Sequence, residues 1–145
     1  MGIATLYRHF PTREDLVSAV YSDQVERLTG GARHLLAEVP PSEALRRWMD
    51  LFGDWVTTKS GMLSTLLTMI ESGDIAHAQT HSELIGAIED ILRAGETAGD
   101  LRGDIAAEDI AASLIGTFTV APLPEHAPRA ERLLDLLMDG LRPLP

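Results

Sequence analysis

The stretch Gly2-Ile3-Ala4-Thr5-Leu6-Tyr7-Arg8-His9-Phe10-Pro11-Thr12-Arg13-Glu14-Asp15-Leu16 holds the end of one helix and the beginning of another. Gly2 to about His9 has the make-up of a short helix. Phe10-Pro11 stops it, because a proline disfavours helical backbone in the residue before it. Thr12 then heads a Thr-x-x-Asp pattern with Asp15, in which a hydroxyl accepts from a free backbone N–H and opens the next helix. Behind it Leu16, Val17, Val20, Tyr21, Val25 and Leu28 recur at the three-and-four spacing of an amphipathic helix. Gly30-Gly31 loosens that helix, Leu35 and Leu36 carry it toward Glu38, and Pro40-Pro41 ends it.

Outward from this stretch the pattern is helix after helix, with no convincing strand. A helix opens near Ser42 behind two prolines, with Glu43 in its first turn and Leu45, Trp48, Met49, Phe52, Trp55 and Val56 on one broad face. Ser60-Gly61 is expected to break it. The next segment, Met62 to about Ser72, is almost all apolar or small, the signature of a helix contacted on several sides. Gly73-Asp74 opens the longest helix, to about Ala98, with Leu84, Ile85, Ile88, Ile91, Leu92 and Gly95 in clear helical period. Gly99 to Asp104 is a polar turn, glycine standing where helices stop. A helix rich in small residues follows from about Ala107 to Val120. Ala121 to Pro128 holds three prolines and reads as a loop, and a last helix runs from Arg129 to about Gly140. The fold class is all-α, with about six to seven helices in a bundle.

The chain has 145 residues, enough for one domain with a real core. It contains no cysteine, which excludes disulfides, thiolate metal sites and cysteine nucleophiles. No run reaches the roughly 18 apolar residues of a membrane span, and the N-terminus lacks the order of a signal peptide, so a cytoplasmic protein without membrane contact is expected. The net charge is −10, unevenly spread. Residues 1–34 balance Arg8, Arg13, Arg27 and Arg33 against Glu14, Asp15, Asp23 and Glu26, so the rest of the chain carries the whole excess. So acidic a body repels phosphate backbones, and only the front end can approach nucleic acid.

The Gly2–Leu16 stretch closely resembles TetR-family repressors. It is similar to their recognition helix, its aromatic end, and the start of the helix that joins DNA reader to sensor. The signal is the Thr5-Leu6-Tyr7 triplet, a basic-aromatic pair, and the Thr12-Arg13-Glu14-Asp15-Leu16 run. The resemblance implies a ligand-responsive DNA-binding transcriptional regulator of the repressor kind, homodimeric through its last two helices and not an enzyme, with no cofactor. Thr5, Tyr7, Arg8, His9 and Arg13 are then the operator-contacting candidates, while Leu6 and Phe10 turn inward. Gly99-x-Leu101-Arg102, Asp104 and Glu108-Asp109 look like the turn before the family's penultimate helix, except that Ala106 stands where a capping residue is usual. The family places a first helix and a supporting helix before this motif, and here the motif abuts Met1. The implied organisation is residues 1–11 as a remnant of the recognition helix and 12–145 as ligand-binding and dimerisation domain, 12–38 being the connecting helix. A truncation and a misassigned start codon would both produce that beginning.

Three groups of residues carry the functional expectations. Trp48, Phe52, Trp55, Met62, Met69 and Phe118, with His77 and His81, are candidates to line a pocket for a small apolar or amphipathic effector; the same aromatic and Met residues also suit a plain packed core. Ala111, Ala112, Ile115, Gly116, Leu133, Leu134, Leu137 and Leu141 are candidates for an isologous dimer face, or again for core. Asp74, His77 and His81 share a helix face at metal-like spacing, which keeps open the alternative of a metal-binding helical-bundle enzyme. No metal is expected, since an Asp at a helix start serves equally as a cap. A dimeric binding module without DNA contact is the remaining alternative.

Overall fold

The computed structural model describes Arg8 and residues 12–61 and 77–145, with the backbone alone for 13, 14, 17, 18, 21, 58–61 and 77–81. The described residues form five helices and no strand: α1 (Arg13–Glu38), α2 (Pro41–Gly61), α3 (His77–Ala98), α4 (Ala107–Val120) and α5 (Ala127–Gly140). The all-α expectation holds. The short helix expected over Gly2–His9 and the one over Met62–Ser72 lie outside the described residues, apart from Arg8, which is helical and exposed.

Local chemistry accounts for the helix ends. Thr12, in extended backbone, accepts from the Asp15 N–H at 3.0 Å, as the Thr-x-x-Asp pattern predicts. Pro41 opens α2, where its missing N–H costs nothing and its fixed φ suits the helix. The next donor, the Ser42 N–H, is satisfied from far along the chain by Asp100 Oδ2 at 2.6 Å. At the end of α3, Gly99 takes φ +72°, a conformation that side chains other than glycine resist. Its N–H donates to the Glu96 carbonyl at 3.1 Å and that of Asp100 to the Gly95 carbonyl at 2.8 Å, the paired bonds of a Schellman stop. Leu101 folds back over Gly95, where a Cβ would come within 2.6 Å of Leu101 Cγ. Ala106 starts α4 without a side-chain cap, as its identity requires. The last helix begins two residues before the expected Arg129: Pro128 belongs to its first turn, where proline initiates a helix and does not mark a loop.

The core runs through all five helices. Leu28 of α1, Leu45, Trp48 and Met49 of α2, Ile88 and Ile91 of α3, Ile110 and Leu114 of α4 and Leu134 of α5 are fully buried. Each contributes about 1.5–3 kcal/mol of apolar transfer free energy. No polar or charged residue is buried among the described residues, so polar ties between helices sit at the rim. Arg46 of α2 bridges Asp50 at 2.9 Å and Asp135 of α5 at 3.2 Å. Partial burial works against the Arg46 charge, but the two carboxylates overcome it and hold its pKa above the ordinary value. Arg102 grips Asp104 through two bonds of 2.7 and 2.8 Å. It also donates from its backbone to the Leu141 carbonyl and from Nη1 to the Gly140 carbonyl, at 3.0 and 3.3 Å. The Gly99–Asp104 turn thereby ties the start of α2 to the end of α5.

Candidate functional site

The aromatic residues picked out by spacing do converge. Trp48, Phe52 and Trp55 lie on one face of α2, and Phe118 reaches them from α4; all four are buried. Phe52 is the hub, its ring centroid 5.7 Å from Trp48, 5.4 Å from Trp55 and 6.3 Å from Phe118, all tilted pairs of the favourable kind. Phe118 approaches α2 this closely because position 53 is glycine: a Cβ there would stand 2.6 Å from the Phe118 ring. At the other end of the row, the Trp48 indole N–H donates to the Leu28 carbonyl of α1 at 2.8 Å. A continuous aromatic row therefore joins α4 to the middle of α1. This hydrogen bond was not legible from spacing; its only sequence signal is that a buried tryptophan needs an acceptor.

The other pocket candidates are placed only in part. His77 and His81 lie in the first turns of α3, described by backbone alone, and Met62, Met69 and Asp74 lie outside the described residues. The Asp74-His77-His81 metal alternative therefore falls outside the described side chains as well. Among the described residues no group of three or more His, Asp and Glu converges as a metal ion requires.

The last two helices split the interface candidates. Leu134 and Leu141 are covered by their own chain, at 1% and 2% exposure, and have no surface left for a partner; they belong to the core. Ala111, Leu133 and Leu137 are half-buried, and Ala112 and Gly116 are exposed. Ile115 is 56% exposed, and three residues not singled out by spacing, Val120, Leu136 and Leu144, are 62–67% exposed. Four of the five large exposed apolar side chains of the described residues thus lie in α4, α5 and the tail; the fifth is Leu51.

Of the operator candidates, Arg8 is exposed, Arg13 is described by backbone at the first position of α1, and Thr5, Tyr7 and His9 lie outside the described residues. Two open grooves lie among the described residues. One, of about 700 Å³, lies between the start of α2, the Gly99–Asp104 turn and the end of α5. Its charged groups already have partners: Asp100 takes the Ser42 backbone N–H, and Arg46 pairs with Asp135, Glu43 with Arg47 and Arg142 with Asp139. The other, of about 440 Å³, runs between α1 and α3 along Glu26, Thr29, Arg33, Gly86 and Asp90. No described helix is long and apolar enough to cross a membrane.

Residues 40–143 match the family model described as the C-terminal domain of SbtR-like transcriptional regulators. The fold is similar to the crystal structure of a TetR transcriptional regulator from Streptomyces coelicolor, with a TM-score of 0.94 and 41% identity over 100% of this chain and 83% of that one. It is similar also to a TetR transcription regulatory protein from Mycobacterium vanbaalenii, with a TM-score of 0.69 and 30% identity over 98% of this chain and 77% of that one. No curated protein matches the sequence. With a C-terminal-domain match over most of its length, and a relative this similar along all of it, the chain belongs to the TetR family of transcriptional regulators.

Proposed function

We propose that this protein is an effector-responsive repressor in which a small apolar or amphipathic molecule is read by the aromatic row of the bundle. Residues 12–145 form the effector-binding and dimerisation domain, and residues 1–11 belong to the DNA-reading head. Trp48, Phe52, Trp55 and Phe118, with Met62 and Met69, offer the effector adaptable apolar surface, and His77 or His81 orients a polar group on it. Dimerisation falls to Ala112, Ile115 and Gly116 of α4 and to Leu133, Leu136 and Leu137 of α5. Operator contact falls to Thr5, Tyr7, Arg8, His9 and Arg13, with α1 carrying the sensor's state to them. The observation that carries this reading is the aromatic row itself: a buried chain of rings that ends in a hydrogen bond on the helix leading to the DNA reader. Effector and operator then weaken each other's binding by the same factor.

The only two tryptophans of the chain, Trp48 and Trp55, both sit in the row, so intrinsic fluorescence reports on it directly. Titration with medium-chain fatty acids and with hydrophobic aromatic amines is expected to change the emission and raise the unfolding midpoint, saturating at one molecule per chain. A hundredfold excess over Kd stabilises the fold by about 2.7 kcal/mol. Unchanged emission and an unchanged midpoint across both series would sink the effector reading.

A further inference from the structure

Phe118 stands between the aromatic row and the open face of α4. Its ring is buried, 6.3 Å from the Phe52 ring, and ends over the backbone of Gly53. That seat is full: a Cβ at position 53 would stand 2.6 and 2.7 Å from Phe118 Cζ and Cε1, and 3.2 Å from Leu123 Cδ1. An interior packed this closely does not take in an extra group unless something moves. One turn before Phe118 on the same helix is Ile115, 56% exposed, and Thr119 and Val120 beyond it are exposed as well. Residues three apart are neighbours on a helix surface. The row and the uncovered apolar face therefore meet in adjacent side chains of α4.

Helix α4 is also loosely fastened. Ala106 gives it no side-chain cap. The hydroxyls of Ser113, Thr117 and Thr119 donate back to carbonyls of α4 itself, at 2.8, 2.8 and 2.6 Å. Its charged residues, Glu108 and Asp109, take part in none of the ion pairs among the described residues. By contrast, α5 is tied to α2 through Arg46 and Asp135 at 3.2 Å, and its end is held by Arg102. The seat of α4 is chiefly apolar, through Ala107, Ile110, Leu114 and Phe118. Contacts of that kind allow the small sliding by which packed helices shear.

We propose that Phe118 couples the aromatic row to self-association: whatever lifts its ring off Gly53 shifts α4, displaces Ile115 and weakens the dimer. The partner is a second copy of this chain, and the inference rests on the dimer reading given above. A molecule lodged among the rings then loosens the dimer, and dimerisation opposes that molecule's binding by the same factor. The coupling needs no effector to be seen, because the packing over Gly53 can be altered from within the chain.

Gly53→Ala adds the crowding methyl inside α2, where the helical backbone itself suits alanine. Sedimentation is expected to show the dimer dissociation constant raised by about five- to 150-fold, the ordinary span of coupling between sites, with the helical circular dichroism retained. Adding Phe118→Leu, which takes away the ring that meets the methyl, is expected to return the constant to near the parent value. A folded Gly53→Ala that dimerises like the parent, or a weakening that Phe118→Leu does not relieve, would overturn the coupling. Should Gly53→Ala not fold, the unaltered protein decides. Trp48 and Trp55 both lie in the row and are buried, away from the exposed face of α4. Their emission is expected to change on dilution with the same midpoint as the dissociation seen by sedimentation; dissociation at constant emission counts against the proposal and ends it. A chain that is monomeric at every concentration removes the dimer reading and the coupling together. Failure of the effector titration beside a restored double variant removes the effector reading and leaves the coupling standing.

Discussion

Asp100 is the residue whose role is least visible from its neighbours in the chain. It caps the start of α2 from afar, satisfying the N–H of Ser42, 58 residues earlier, which Pro41 and the helix start leave without a partner. Asp100→Ala should therefore lower stability by about 1 kcal/mol, the ordinary worth of an N-cap, seen as a lower urea midpoint at unchanged slope. Asp100→Asn, which keeps an oxygen, should recover most of the loss. Asp104 offers a pH test. Its bond from Arg102 holds the carboxyl below the ordinary carboxylate value. The stability this pair lends is full above the unfolded carboxylate range and is lost as pH falls through the lowered value. Asp104→Asn should lower the thermal midpoint slightly at neutral pH, because the pair is exposed, and the gap from the parent protein should close in strong acid. A gap that widens on acidification would contradict the assignment.

At the scale of the elements, α4 begins without a cap: Ala106 already has the extended backbone of an N-cap residue and lacks only the oxygen. Ala106→Ser should stabilise the protein by about 0.5–1 kcal/mol, measurable by denaturant titration, since the geometry needs no adjustment. The helices were legible because their signals are local: the Thr12 cap, Pro41, the Gly99 stop and the three-and-four apolar spacing each act within a turn or two. Errors fell where the deciding contact is distant or ambiguous. Proline at position 128 reads equally as loop or as helix start, and the chain used it as the latter. Periodicity located the apolar side of α5 but did not tell which residues meet the chain's own core and which stay outside; Leu134 is covered and Leu136, two residues on, is open. The aromatic row was half legible, since spacing puts Trp48, Phe52 and Trp55 on one face. The bond to Leu28 depends on how α1 and α2 cross, which no local pattern records.

For the molecule as a whole, the exposed apolar residues of α4 and α5 and the acidic surface pull in opposite directions. The proposed dimer through Ile115 and Leu136 would bury large side chains that otherwise meet water, but it would bring together two bodies of net charge −10. Added salt should therefore tighten the dimer, as screening removes repulsion without weakening apolar contact. Ile115→Glu or Leu136→Glu should give monomers by sedimentation at concentrations where the parent is dimeric, with the helical circular dichroism retained. Loss of helix together with the dimer would place these residues in the fold instead. The Gly99–Asp104 turn has a bearing on how the gene tolerates change. Exposed polar turns are where insertions usually survive, yet this one holds the start of α2 through Asp100 and the last carbonyls of α5 through Arg102. A library of short random insertions along the gene should thus show a scar of non-functional clones at this turn, as severe as any in the buried helices. The family's lengthening and shortening would have been spent elsewhere on the surface, and the most dispensable-looking loop would be the one that history could not edit.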